Sequence, residues 1–194
     1  SPPEQTLEWN DAGVEGAHRF LRRVWGFAAR NESMIRSGAV PSAIDSRAGE
    51  PAAKGLRFEL HALLRQITFD YERMQYNTIV SGAMKLLNAL EGFRAEAPHA
   101  VREGFGILLR ALYPACPHIT WVLWNELGYA AQGADLLDAP WPEVDAGALV
   151  GLGLLARNNE FVALRSCGVS LWQVTAPLAA VGILIGAANF LWGE

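Results

Sequence analysis

The sequence predicts an all-α fold: an antiparallel bundle of about four or five helices over residues 1–130, followed by a C-terminal apolar helix. Three observations carry this. Apolar residues recur at helical spacing through the first 130 residues, and no period-two strand pattern persists. Prolines and glycines fall where helices would begin or end. The charge distribution breaks sharply: residues 1–150 hold 14 of the 16 basic and 18 of the 20 acidic side chains, whereas the last 44 residues carry only Arg157, Glu160, Arg165 and Glu194.

The first helix is expected over residues 11–30. Asn10 and Asp11 are suited to its N-terminus, and Val14, Ala17, Phe20, Leu21, Val24, Trp25 and Ala28 form an apolar stripe. Gly38, Pro41, Gly49 and Pro51 mark residues 36–53 as a loop. A second helix at 53–74 carries Leu56, Leu60, Leu63, Leu64, Ile67, Tyr71 and Met74. A third starts near Asn77 or Thr78 and carries Ile79, Val80, Ala83, Met84, Leu86, Leu87 and Leu90; the short break predicts antiparallel packing of the two. Pro98 suits the first turn of a fourth helix ending near Leu112, where Pro114 and Pro117 interrupt it. Pro117 opens a fifth, from His118 to Leu127, closed by Gly128. Residues 129–150 read as a tail wrapped on the bundle.

From Leu171 to Trp192 there are 22 residues without a formal charge. At ~1.5 Å per residue such a run matches the ~30 Å hydrocarbon layer of a bilayer. Trp172 and Trp192 stand near its ends as interface aromatics would, and Arg157 and Arg165 place the preceding segment on the cytoplasmic side. The alternative is a buried helix of a soluble domain. The organisation expected is a helical bundle at 1–150, an amphipathic helix at 151–169 and a membrane-spanning helix at 170–194, with residues 1–169 cytoplasmic and an inner-membrane anchor through 171–192.

Composition excludes several classes. Hydrophobic residues make up 51% and charged residues 19%, which is globular rather than disordered, and the net charge of −4 is not that of a strongly basic nucleic-acid carrier. Cys116 and Cys167 form no CxxC pair, and His18, His61, His99 and His118 show no metal-ligand spacing, so neither a disulfide framework nor a metal site is expected. The chain opens without a secretory signal and reads as a piece of a longer protein. No Ser-His-Asp set, converging carboxylates or phosphate-cradling glycine loop is legible, so no catalysis is expected of these residues alone.

Arg19, Arg22, Arg23 and Arg30 fall on one broad face of the first helix at ~100° per residue. Such a row suits RNA backbone phosphates, which guanidinium groups hold through bidentate, salt-sensitive contacts. It equally suits a solvated face with partners such as Glu15 for Arg19. Lys85 and Arg94 are further cationic candidates. Trp9, Trp25, Trp121, Trp124 and Trp141 are suited to base stacking, but tryptophans at such positions more often fill a core. His118, after Pro117, is expected to order a helix start.

Four stretches, with a closing segment, together resemble bacterial leucyl-tRNA synthetase just after its catalytic core. These are Ser1-Pro2-Pro3-Glu4-Gln5-Thr6-Leu7-Glu8-Trp9; Gly13-Val14-Glu15-Gly16-Ala17 running to Arg22-Arg23-Val24-Trp25; Tyr76-Asn77-Thr78-Ile79-Val80 with Leu86-Leu87-Asn88-Ala89-Leu90; and Leu112-Tyr113-Pro114-Ala115-Cys116-Pro117-His118-Ile119-Thr120. The closing segment is Ala139-Pro140-Trp141-Pro142-Glu143-Val144-Asp145. The resemblance implies the anticodon-binding helical domain of a class I synthetase, with tRNA(Leu) as partner and the arginine row, with Lys85, as its contacts. The HIGH-type and KMSKS-type signatures that bind ATP in the family are absent from these 194 residues, and the only lysines are Lys54 and Lys85. The ATP and Mg used by the whole family enzyme are therefore not expected on this chain, and no cofactor is.

The stretch from Leu155-Ala156-Arg157-Asn158-Asn159-Glu160 to Leu164-Arg165-Ser166-Cys167-Gly168 resembles the short cytoplasmic coupling helix of lipopolysaccharide-export permeases. That likeness implies a partner ATPase, contacted by Glu160 and Arg165, and a membrane helix following directly. Together the two resemblances imply a junction near Val150–Gly151 between parts of two unrelated proteins.

Overall fold

A computed structural model describes residues 11–39, 51–132 and 135–149. Among these residues the α-helices follow in the order α1 (Asp11–Arg30), α2 (Glu32–Ser37), α3 (Pro51–Glu72), α4 (Tyr76–Gly92), α5 (Pro98–Leu112) and α6 (Pro117–Glu126), with a 3-10 turn at Ala130–Gln132. Among the described residues there is no strand, as expected. The bounds of α1 and α5 coincide with those read from periodicity. One helix was missed. α2 is only 6 residues long, too short to show a period, and follows α1 after the single interrupting residue Asn31. Buried Ile35 and the Glu32–Arg36 pair at 2.9 Å hold it.

α5 is the centre of the bundle. Eleven of its 15 residues are buried, and α2, α3, α4 and α6 all pack on it. Its lack of bulk at two points explains how. Gly104 leaves room for Leu60 of α3, whose Cδ1 would lie 2.6 Å from an added Cβ. Gly106 seats the ring of Tyr129, with Cε1 at 3.1 Å from such a Cβ. Against the centre lie Phe20, Val24, Phe27 and Ala28 of α1, Leu56, Leu60, Leu64 and Ile67 of α3, and Ile79, Ala83, Leu86, Leu87 and Leu90 of α4. Phe27 stacks on Phe105 at 5.5 Å.

The turns follow local chemistry. α3 passes into α4 through Met74, which adopts φ 53°, while the Gln75 amide donates to Asp70 O at 2.9 Å. Pro98 and Pro117 each occupy the first turn of a helix, where a missing N–H costs nothing. Gly128, at φ 74°, ends α6: its amide donates to Asn125 O and that of Tyr129 to Trp124 O, both at 3.0 Å, the paired bonds of a Schellman motif.

The expected wrapping of the tail is visible in residues 135–149. Leu136 is buried, and Trp141 meets Tyr71 edge-on at 5.1 Å while its indole N–H donates to Thr68 Oγ1 at 2.9 Å. Among the described residues no helix is long and apolar enough to cross a membrane. The amphipathic helix expected at 151–169, the apolar helix at 170–194 and Cys167 lie outside the described residues.

Candidate nucleic-acid interface

The four arginines of α1 lie on one broad face beside the stripe of Phe20, Val24, Phe27 and Ala28, Arg22 farthest from it and Arg23 and Arg30 on the flank toward α4, and all four are exposed. Their partners differ. Arg22 has no ion pair or hydrogen bond among the described contacts. Arg19 approaches Glu15 at 3.9 Å, one helical turn away. Arg23 is engaged across the bundle: its Nη2 donates to Glu91 Oε2 at 2.5 Å and to Asn88 Oδ1 at 2.7 Å on α4. Arg30 reaches the other Glu91 oxygen at 3.8 Å, its guanidinium lying against Gly26, where an added Cβ would come within 3.0 Å of Nη1. The structure thus brings the row together as spacing predicts, but joins two of its members to one carboxylate on α4. Lys85, also on α4, is exposed, as is Arg94 just beyond that helix. Glu160 and Arg165 lie outside the described residues.

The tryptophans depart from expectation. Only Trp124 is buried; Trp25, Trp121 and Trp141 are 44%, 46% and 38% exposed, and Trp9 lies outside the described residues. Trp25 falls on the flank of the α1 stripe rather than at its centre. Trp121 donates to Asp135 at 3.3 Å from the surface of α6. His118 is exposed at the start of α6, and among the described contacts no hydrogen bond from its ring supports an ordering role.

Two polar clusters were not legible as sites. In the first, Arg102 lies buried on α5 and donates from Nη1 to Ile35 O and Leu127 O and from Nη2 to Gly128 O, at 3.0–3.1 Å. It thereby neutralises the carbonyl ends of both α2 and α6. Its guanidinium lies 4.0 Å from the Tyr129 ring centre, Tyr129 stacks on Trp124 at 4.6 Å, and Arg110 lies 5.1 Å from the Trp124 ring centre. Burial pushes both arginines below their ordinary pKa, and burial drives Tyr129 far above its own. The tell-tale in the sequence is Arg102-x3-Gly106-x3-Arg110: two cations flanking a glycine at one-turn intervals on a largely apolar helix.

In the second, Arg57 of α3 grips Glu103 of α5 through two bonds of 2.6 and 3.0 Å and donates to Asp145 Oδ2 at 2.9 Å. His61 Nδ1 accepts the Asp145 amide at 3.1 Å, which assigns the ring proton to Nε2, facing Glu103 Oε1 at 3.1 Å. The Arg57 bond holds Asp145 below the usual carboxylate range. Burial pushes Glu103 up, but the Arg57 bonds and charge, with His61, outweigh it and hold Glu103 low as well. Partly buried charges in such hydrogen-bonded networks fasten elements together. Among the described residues no group of His, Cys, Asp and Glu side chains has the arrangement of a metal site.

The arrangement is therefore a helical scaffold with a basic row on one outer edge and its closed polar clusters spent on assembly. Residues 53–166, more than half of the chain, match the sequence model of the family described as the anticodon-binding domain of tRNA ligase. The chain belongs to that family. Among its relatives are the leucine–tRNA ligases of Leptothrix cholodnii, 61% identical over 192 residues, and of Polaromonas naphthalenivorans, 59% identical over 194 residues. Each alignment covers 97% of this chain but only 20% and 21% of the relative, so the chain spans about a fifth of the length of the curated relatives it matches. Among solved structures, a ternary complex of the Agrobacterium radiobacter K84 LeuRS with tRNA and LeuAMS superposes with a TM-score of 0.66 at 23% identity, covering 77% of this chain and 19% of that one, a likeness of fold. Residues 146–194 match a second family, the lipopolysaccharide export system permease LptF/LptG. The two matches overlap at 146–166, and the expected junction at Val150–Gly151 falls inside that overlap.

Proposed function

We propose that residues 1–150 serve as the tRNA-holding helical part of a leucine–tRNA ligase, supplying position rather than chemistry. The observation that carries this is the exposed arginine face of α1 on a chain of this family. Among the described residues Arg22 and Lys85 present cations with no intramolecular partner, and Arg19 has only a long, exposed pair that contributes little. Guanidinium groups in this setting grip backbone phosphates and recognise RNA by shape. Leucine activation with ATP and Mg, and its transfer to tRNA(Leu), belongs to the whole ligase; the 194 residues carry neither ATP-binding signature.

A filter-binding titration of tRNA(Leu) over a salt series tests the reading. Binding at ~50 mM salt is expected, weakening steeply as salt rises, and Arg22→Gln is expected to make that dependence shallower by about 0.9 in log–log slope. Absence of binding at ~50 mM refutes it.

A second reading concerns the C-terminal segment and is favoured by the permease match over 146–194. In it, 151–169 is a cytoplasmic coupling helix whose Glu160 and Arg165 meet a partner ATPase, and 171–192 anchors the chain in the inner membrane. The 22 uncharged residues support it. Sodium-carbonate extraction tests it: a chain released to the supernatant has no such anchor.

A further inference from the structure

The α1 face already holds an anion. Glu91 places its two carboxylate oxygens on two different arginines, Oε2 on Arg23 at 2.5 Å and Oε1 on Arg30 at 3.8 Å, and Asn88 fixes Arg23 from the side at 2.7 Å. A carboxylate bridging two guanidinium groups occupies the place a phosphodiester would take, since both offer paired oxygens to the same donors. We infer that Arg23 and Arg30 form a phosphate cradle that Glu91 fills from within the chain, so that Glu91 competes with RNA for the site and sets its affinity.

This rests on the RNA-binding reading above and names how that site is regulated. Glu91 is suited to the part. It is the acidic residue across the bundle from the row, whereas Glu15, the other acid beside it, touches only Arg19 at 3.9 Å. Its hold is weak enough to yield. The Arg23 and Arg30 side chains are 44% and 67% exposed, and ion pairs so open to water contribute little. Displacement would not unfasten α1, because its buried stripe and the Arg23–Asn88 bond are independent of Glu91. While Glu91 stays in place, a phosphate approaching Arg22 meets a face whose neighbouring charge is partly cancelled.

The test compares tRNA(Leu) binding by the full chain and its Glu91→Gln variant across ~50–300 mM salt. Glutamine keeps the size and a hydrogen-bond acceptor but removes the charge. The expected result is about 3- to 10-fold tighter binding and a salt slope steeper by up to about 1.8, two freed cations at about 0.9 each. Arg23→Gln in the Glu91→Gln background should cancel about half of the added slope. Circular dichroism melts of each variant separate folding from binding, and Glu91→Ala provides a second charge-removing change. Unchanged or weaker binding by folded Glu91 variants overturns the inference while the RNA-binding reading stands on the wild type and Arg22→Gln. Absence of binding by both overturns both.

Discussion

Replacing Arg102 with methionine removes a buried guanidinium while keeping most of its apolar stem. Three main-chain carbonyls, Ile35 O, Leu127 O and Gly128 O, lose a donor at 3.0–3.1 Å, and Tyr129 loses the cation over its ring. Each buried acceptor left without a partner costs about 1–3 kcal/mol. Against this, the variant no longer buries a charge, and that relief offsets part of the loss. The balance is a destabilisation of about 3 kcal/mol, a large share of the ~5–15 kcal/mol available to a domain of this size. Urea denaturation followed by far-UV circular dichroism measures it as a lower midpoint at unchanged slope. Arg102→Lys should recover part of the loss, because an ammonium keeps the charge but not the fork that reaches three carbonyls. A methionine variant within about 1 kcal/mol of wild type would refute the claim that this residue fastens the ends of α2 and α6.

Acid should open the Arg57 cluster. Glu103 and Asp145 both titrate below their ordinary values when folded, so their contribution is present above about pH 4 and is lost as pH falls through the folded values. Urea midpoints between pH 7 and pH 3 should fall steeply in wild type and less so in Arg57→Met; equal slopes refute the assignment. Gly104→Ala drives a methyl to within 2.6 Å of Leu60 Cδ1 and should destabilise by about 1–3 kcal/mol, whereas Gly92→Ala, with nothing within 4 Å, should change stability far less; equal effects would count against α5 as the tightly packed centre. Tyr71, pushed up to about 12 by burial, should resist ionisation in spectrophotometric titration of the folded chain at pH 11 and ionise there once urea has unfolded it.

Most of the helices were legible because their apolar positions repeat over four or more turns, and because Pro98, Pro117 and Gly128 mark ends by backbone chemistry alone. α2 was not, since 6 residues give no period to read. The arginine row was legible for the same reason as the stripe beside it. Its partner Glu91 was not: it lies 68 residues from Arg23, and only the packing of α1 on α4 brings them together. The exposure of Trp25, Trp121 and Trp141 was misjudged because residue type reports hydrophobicity, not which flank of a helix faces the core. Arg102 and Glu103 hid on the buried helix α5, where a charge normally argues against burial and where only carbonyls and a guanidinium from other elements resolve the conflict.

The Arg57–Glu103–His61–Asp145 cluster also has a mechanical meaning. It ties residue 145 to side chains 84 and 88 positions earlier in the chain. Tension applied to the chain beyond Leu149 therefore enters the bundle at α3 and the central helix α5, and does not peel away the lighter strap that carries Leu136 and Trp141. The cluster acts as a strain relief, like the clamp where a cable enters its housing: a load on the C-terminal side must first break the Arg57–Asp145 ion pair and the Asp145 amide–His61 bond before it reaches α1, which carries the arginine row.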